Sequence, residues 1–218
     1  MSRRVTFKYN LDKEFWNLRA GFYSINQPSE MSRLASEMKT KGVNLENEAQ
    51  VLKFVQDKIG QEHIDIQKNL SQIKIKWTPI ETESISRLDK LFCHPFDFPN
   101  MTAFLTLNPR CGYNIKENFF FVFMFDSNTN DGILHELMHF YTHKYISPFF
   151  KKNNLSKEQF NDYKEALTVL LNSNFADLLD GDIDKGYEKQ KDLRTKIKKV
   201  WPKFNNIVDL TKYMVDKW

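Results

Sequence analysis

Cysteine is scarce: Cys93 and Cys111 are the only two in 218 residues, and neither belongs to a C-x-x-C pair. That excludes a disulfide framework, and reduced, buried thiols are the expectation. Glycine and proline are scarce too, seven of each, and no internal repeat or low-complexity linker interrupts the chain. Most of it is therefore expected in regular structure. Long hydrophobic runs are missing. The longest, Phe119 to Phe125, falls far short of the roughly 20 residues that cross a bilayer. Behind the two arginines of Met1-Ser2-Arg3-Arg4-Val5-Thr6-Phe7-Lys8 no apolar segment follows, as a secretory signal would need. A soluble, cytoplasmic protein without a membrane partner is expected. Charge of one sign is also in short supply: 32 basic against 28 acidic residues leave a net +4. Lys196, Lys198 and Lys199 read as a solvated helix face, so no nucleic-acid partner is expected.

What is present is an ordinary globular balance, 41% hydrophobic and 28% charged, with 19 Phe to supply apolar area for a core or a cleft. Apolar residues recur at helical spacing between about Leu11 and Leu70, with breaks at Gln27-Pro28-Ser29 and Lys41-Gly42-Val43-Asn44. Ile73-Lys74-Ile75-Lys76-Trp77 alternates like a short strand, and Thr78-Pro79 then opens a helix through Ile85, Leu88 and Leu91. Met101 to Leu107 and Phe119 to Phe125 are the stronger strand candidates. The second is apolar throughout, which suits a strand covered on both faces. Asn128-Thr129-Asn130-Asp131 offers N-caps for a helix ending near Ser147-Pro148. Ser156 caps another that runs to about Leu179, Asp180-Gly181-Asp182 turns, and helices over about Tyr187 to Trp201 and Val208 to Trp218 close the chain. The class is α+β, one domain over 1–218. Residues 1–100 are mainly helical, 101–147 hold strands and a helix, and 148–218 are helical.

Within the helix expected before Ser147 lies His135-Glu136-Leu137-Met138-His139, an H-E-x-x-H pentad. Composition alone predicts fewer than about one accidental match in a hundred chains of this kind. Positions four apart on a helix lie nearly above one another, so both histidines can share one ion. Glu136, one step round, then sits where a carboxylate takes a proton from a metal-bound water. A third protein ligand must come from elsewhere. His143 fails on distance, because eight residues of helix separate it from His135 by roughly 12 Å. Glu165 stands in the apolar stretch Glu165-Ala166-Leu167-Thr168-Val169-Leu170-Leu171-Asn172, where a buried carboxylate is costly unless paired or metal-bound. Thr168 and Asn172 share its helical face. This narrow polar stripe points either at something polar inside the protein or at water.

The pentad followed by a helix bearing Glu165 resembles the gluzincin branch of the zincin metallopeptidases, over about Met101 to Leu179. The resemblance implies Zn²⁺ held by His135, His139 and Glu165, Glu136 as catalytic acid/base, and a peptide or protein substrate. It also implies a zincin-like fold, mostly helical, with a small mixed sheet against the active-site helix. In such folds an edge strand holds the peptide; Phe119 to Phe125 is read either as that edge or as a central strand. One position departs. Gluzincins often carry Asp four residues after the ligand Glu, where this chain has Val169, so the partner of a zinc histidine is left to Asp162, Asp177, Asp184 or a backbone carbonyl. The oxyanion donor is assigned to Tyr187, with Arg194 and His143 as alternatives. The competing class is a non-catalytic sensor or partner-binding module on the same scaffold. If zinc were structural there, a fourth ligand would be needed, and Cys93 and His94 are the spare candidates.

Overall fold

The phenylalanine run organises the sheet. In the computed structural model, which describes residues 5–22, 33–109, 111–179 and 183–216, four strands pair among the described residues. They are β1 (Thr6–Lys8), β2 (Thr102–Thr106), β3 (Tyr113–Asn114) and β4 (Phe119–Phe123), in the order β1-β2-β4-β3. The first two pairings are parallel and the last antiparallel, so the sheet is mixed. Phe119, Phe120, Phe121 and Val122 are all buried. Covering on both faces explains why no polar residue interrupts the run. β4 lies between β2 and β3. It is therefore a central strand rather than an edge, and its main chain is already paired. The expected strands end earlier than Leu107 and Phe125, while β1 and β3 are too short to show a period in sequence.

The chain divides into two compact units, Met1–Trp77 with Pro99–Thr129, and Thr78–Phe98 with Asn130–Trp218. The first holds the sheet with α1 (Leu11–Phe22), α2 (Arg33–Thr40), α3 (Glu48–Gln61) and the start of α4 (Ile66–Phe92). Trp16 of α1 stacks on Phe121 at 5.7 Å and meets Phe119 edge-on at 5.3 Å, fixing the helix to the sheet by aromatic contact. The expected break at 41–44 is a turn with Gly42 in the left-handed region, whereas 27–29 lie outside the described residues. Ile73 to Trp77 is not a strand. It belongs to α4, which continues through Pro79. Leu70, Ile73 and Trp77 are buried at helical spacing while Ile75 is exposed, so the 3.6-residue period outweighs the five-residue alternation.

The second unit continues with α5 (Thr129–Tyr141), α6 (Ser147–Lys152), α7 (Lys157–Leu167), α8 (Leu171–Asn174), α9 (Lys191–Val200) and α10 (Ile207–Val215). Between α5 and α6 lies one π turn, Thr142–Ile146. Pro148 has no N–H to give the carbonyl four residues back, and the Ser147 N–H bonds Thr142 instead. Ser156 begins α7 with a reciprocal capping box, its Oγ accepting from the Gln159 N–H while Gln159 Oε1 accepts from the Ser156 N–H. The helix expected to reach Leu179 tightens to a 3₁₀ turn at Thr168–Leu170, and α8 ends at Asn174. The expected turn at 180–182 lies outside the described residues. Phe92, Phe140, Tyr141, Phe150, Tyr163 and Phe175 fill the core of this unit. Both cysteines are free thiols, but neither is buried as expected: Cys93 is exposed and Cys111 half-buried. Among the described residues no helix is long and apolar enough to cross a membrane.

Candidate metal centre

α5 is almost wholly buried. Ile133, Leu134, Leu137, Met138, Phe140 and Tyr141 have essentially no exposure, so the helix cannot turn its polar residues to water. Its histidines need a partner inside the protein. That partner is α7. Ser156 sets where α7 begins, and about two and a half turns later Glu165 faces the pentad. Its Oε2 lies 3.4 Å from His139 Nε2 and 3.6 Å from His135 Nε2. Donor atoms of the three residues all fall within 4.8 Å of one another.

The two Glu165–imidazole distances are compatible with a shared cation. Tetrahedral arms of about 2.0–2.2 Å place neighbouring donors roughly 3.3–3.6 Å apart. Hydrogen bonds to a carboxylate are shorter, at about 2.7–2.9 Å. Glu165 Oε2 is buried and has no hydrogen-bond partner among the described residues, and the same holds for Glu136 Oε2. Buried carboxylate oxygens left so are rare. The residues present fit a divalent ion with two imidazoles and one carboxylate as donors.

The polar stripe of Glu165, Thr168 and Asn172 explains the rest. Asp184 Oδ2 accepts from His135 Nδ1 at 2.7 Å, which turns the other ring nitrogen toward Glu165. Asn172 grips the Asp184 backbone twice, donating to its carbonyl at 2.9 Å and accepting from its N–H at 2.8 Å. Thr168 Oγ1 lies 3.0 Å from Asp184 Oδ1. The Arg194 guanidinium closes the cluster, donating to Asp184 Oδ1 at 2.7 Å, to its carbonyl at 2.6 Å and to Thr168 Oγ1 at 2.8 Å. Gly186 makes room for it: a Cβ there would stand 2.5 Å from the Arg194 guanidinium, and the residue sits at φ +61. Of the three acids open from sequence, Asp184 is thus the one that holds the histidine. Asp177 pairs with Arg87, and Asp162 accepts from Gln190.

Electrostatics follow from burial and these partners. Burial opposes charging of His135, yet Asp184 and Glu165 outweigh it and raise the group to about 10, so the site attracts positive charge. Burial, with the Lys164 and His135 charges, lowers His139 to about 3 and keeps it a neutral donor. Burial also pushes the Glu136 carboxyl up to about 7 against the pull of His135 and Lys164. Glu165 resists the upward effect of burial, because His139, His135 and Lys164 hold it well below the usual carboxylate range.

The other expected residues have the following surroundings. His143, in the π turn, packs edge-on against Phe160. Arg194 is committed to Asp184 and Thr168. Tyr187, 46% exposed, lines a cleft of about 290 Å³ with Val169, Lys185, Glu188 and Lys191. His94 stacks on Tyr145, and Cys93 Sγ contacts the Lys90 carbonyl. Lys164 was not anticipated. Its ammonium is buried and lies 2.6 Å from Glu165 Oε1. A signal for it exists in the sequence: it falls four residues after Phe160 and three before Leu167, on the apolar face of α7. Compared with family models, curated proteins and solved structures, the chain matched none.

Proposed function

We propose that this chain is a zinc-dependent metallopeptidase of the gluzincin type, with a zincin-like fold and a peptide or protein substrate. One observation carries the reading. A buried carboxylate oxygen without a hydrogen-bond partner faces two imidazole nitrogens at tetrahedral spacing, on the residues of an H-E-x-x-H helix. Two His and one Glu form the three-ligand set of catalytic zinc sites, and among the described residues no fourth acid, His or Cys joins the group. That favours a hydrolytic centre over a structural one.

His135, His139 and Glu165 would hold the ion. Bound there, zinc supplies Lewis-acid polarisation of the scissile carbonyl and of the attacking water. Glu136 accepts the proton from that water on its carboxylate and delivers it to the departing amine, which leaves neutral. Asp184 keeps the His135 ring oriented, and Arg194, Thr168 and Asn172 keep Asp184 in place. His135 and Glu165 retain 18% and 20% of their side-chain exposure, a route for substrate that the fully buried His139 does not offer.

Glu136→Gln separates chemistry from binding. The variant is expected to keep its zinc and lose peptide hydrolysis. Cleavage at the wild-type rate would remove the proposed role of Glu136. A zinc-loaded wild-type chain inert toward a diverse peptide library would instead favour the sensor or partner-binding module.

A further inference from the structure

Neighbouring residues on a helix point about 100° apart and do not ordinarily meet. Lys164 and Glu165 nonetheless touch, with Nζ 2.6 Å from Oε1. The long lysine stem bends back across the helix to reach the carboxylate. Its side chain is only 6% exposed, so the ammonium has given up most of its water. A desolvated cation is tolerated only where an anion answers it closely. The two oxygens of Glu165 are consequently divided: Oε1 is engaged by Lys164, and Oε2 faces both imidazoles.

We propose that Lys164 is a positioning residue that restricts Glu165 to one-oxygen ligation, reserving a coordination position of the ion for water and substrate. The inference rests on the metal centre proposed above. A carboxylate can give a cation one oxygen or two, and larger cations such as Ca²⁺ often take both. A second oxygen from Glu165 would fill a position and weaken the ion as a Lewis acid through added donation. The ammonium blocks this by holding Oε1 in a charge-assisted hydrogen bond. It thereby also favours a small tetrahedral ion over one that demands many oxygens. The Lys164 charge further reaches Glu136, His139 and His143, so the buried cluster is less anionic than its carboxylates suggest.

The test uses the full chain loaded with Co²⁺, whose visible absorption weakens as coordination rises above four. Lys164→Met is expected to keep one metal per chain with affinity unchanged or tighter, because a repelling charge is gone and a ligand atom is freed. Its Co²⁺ bands should weaken, and kcat for peptide hydrolysis should fall about tenfold or more at unchanged KM. A purely structural role predicts the opposite pattern, with looser metal and an unchanged spectrum in the fraction still loaded. A Lys164→Met spectrum identical to wild type overturns the inference and leaves the metal centre standing. Failure of the wild type to take up Co²⁺ or Zn²⁺ overturns both. X-ray absorption of the zinc-loaded wild type needs no variant, and two Glu165 oxygens on the ion would equally refute the proposal.

Discussion

Asp184→Asn is the sharpest perturbation of the centre that leaves every proposed ligand in place. Asp184 divides its two oxygens, Oδ2 for His135 Nδ1 at 2.7 Å and Oδ1 for Arg194 at 2.7 Å and Thr168 Oγ1 at 3.0 Å. Asn has nearly the same shape but only one acceptor. Whichever way its amide turns, the NH₂ meets a donor, either the imidazole N–H or the guanidinium. At 5% exposure no water relieves the conflict. Loss of such an outer partner typically weakens metal binding 10- to 100-fold, or about 1.4–2.7 kcal/mol. The neutral amide also weakens the pair with the buried Arg194 whichever way it turns, at a cost to stability of about 1–3 kcal/mol. Competition with a chromogenic chelator measures the first quantity, and thermal unfolding of the metal-free chain measures the second. Asp177→Asn is the control, since Asp177 meets Arg87 with its side chain 62% exposed. A D184N variant holding zinc within about twofold of wild type would refute the orienting role. So would equal weakening by D177N.

Two further outcomes are expected. Glu14, fully buried with Oε1 accepting from Thr106 Oγ1 and the Leu107 N–H, has its carboxyl pushed by burial from 4.5 up to about 7. The native state therefore holds the proton that the unfolded state loses first. The stability contributed by this group is complete below about pH 4.5 and lost as pH rises through about 7, a swing of about 3 kcal/mol at most. Glu14→Gln should flatten that part of the curve and unfold at higher urea than wild type at pH 8; parallel curves for the two proteins would contradict the assignment. Gly186→Ala should cost about 1–3 kcal/mol from the left-handed backbone alone and lower zinc affinity by displacing Arg194, whereas unchanged melting and metal binding would show that the cradle is not needed.

The centre was legible in sequence to the extent that its residues lie on periodic elements. The pentad and the stripe of Glu165, Thr168 and Asn172 each specify a face, and in the structure those faces carry the clustered donors and the Asp184 contacts. What the stripe holds was open, because Asp184 sits on an irregular strap whose path no period encodes. Lys164 drew no reading from sequence and Arg194 only that of an alternative oxyanion donor, because burial of either is tolerable only beside a carboxylate that three-dimensional folding supplies. The α+β class and the strand at Phe119–Phe123 follow from apolar runs, whereas its central place in the sheet was open beside an edge one. The misread segment Ile73 to Trp77 was too short for alternation to outweigh helical burial. β1 and β3 exist through pairing with β2 and β4 rather than through any pattern of their own.

Elemental analysis of the purified chain tests the central claim most directly. The wild type should carry one zinc per chain after dialysis against zinc-buffered solution, and Glu165→Ala and His139→Ala should each lose most of it while retaining helical content. A wild type that binds no zinc, or a Glu165→Ala variant that binds as much as the wild type, would contradict the account.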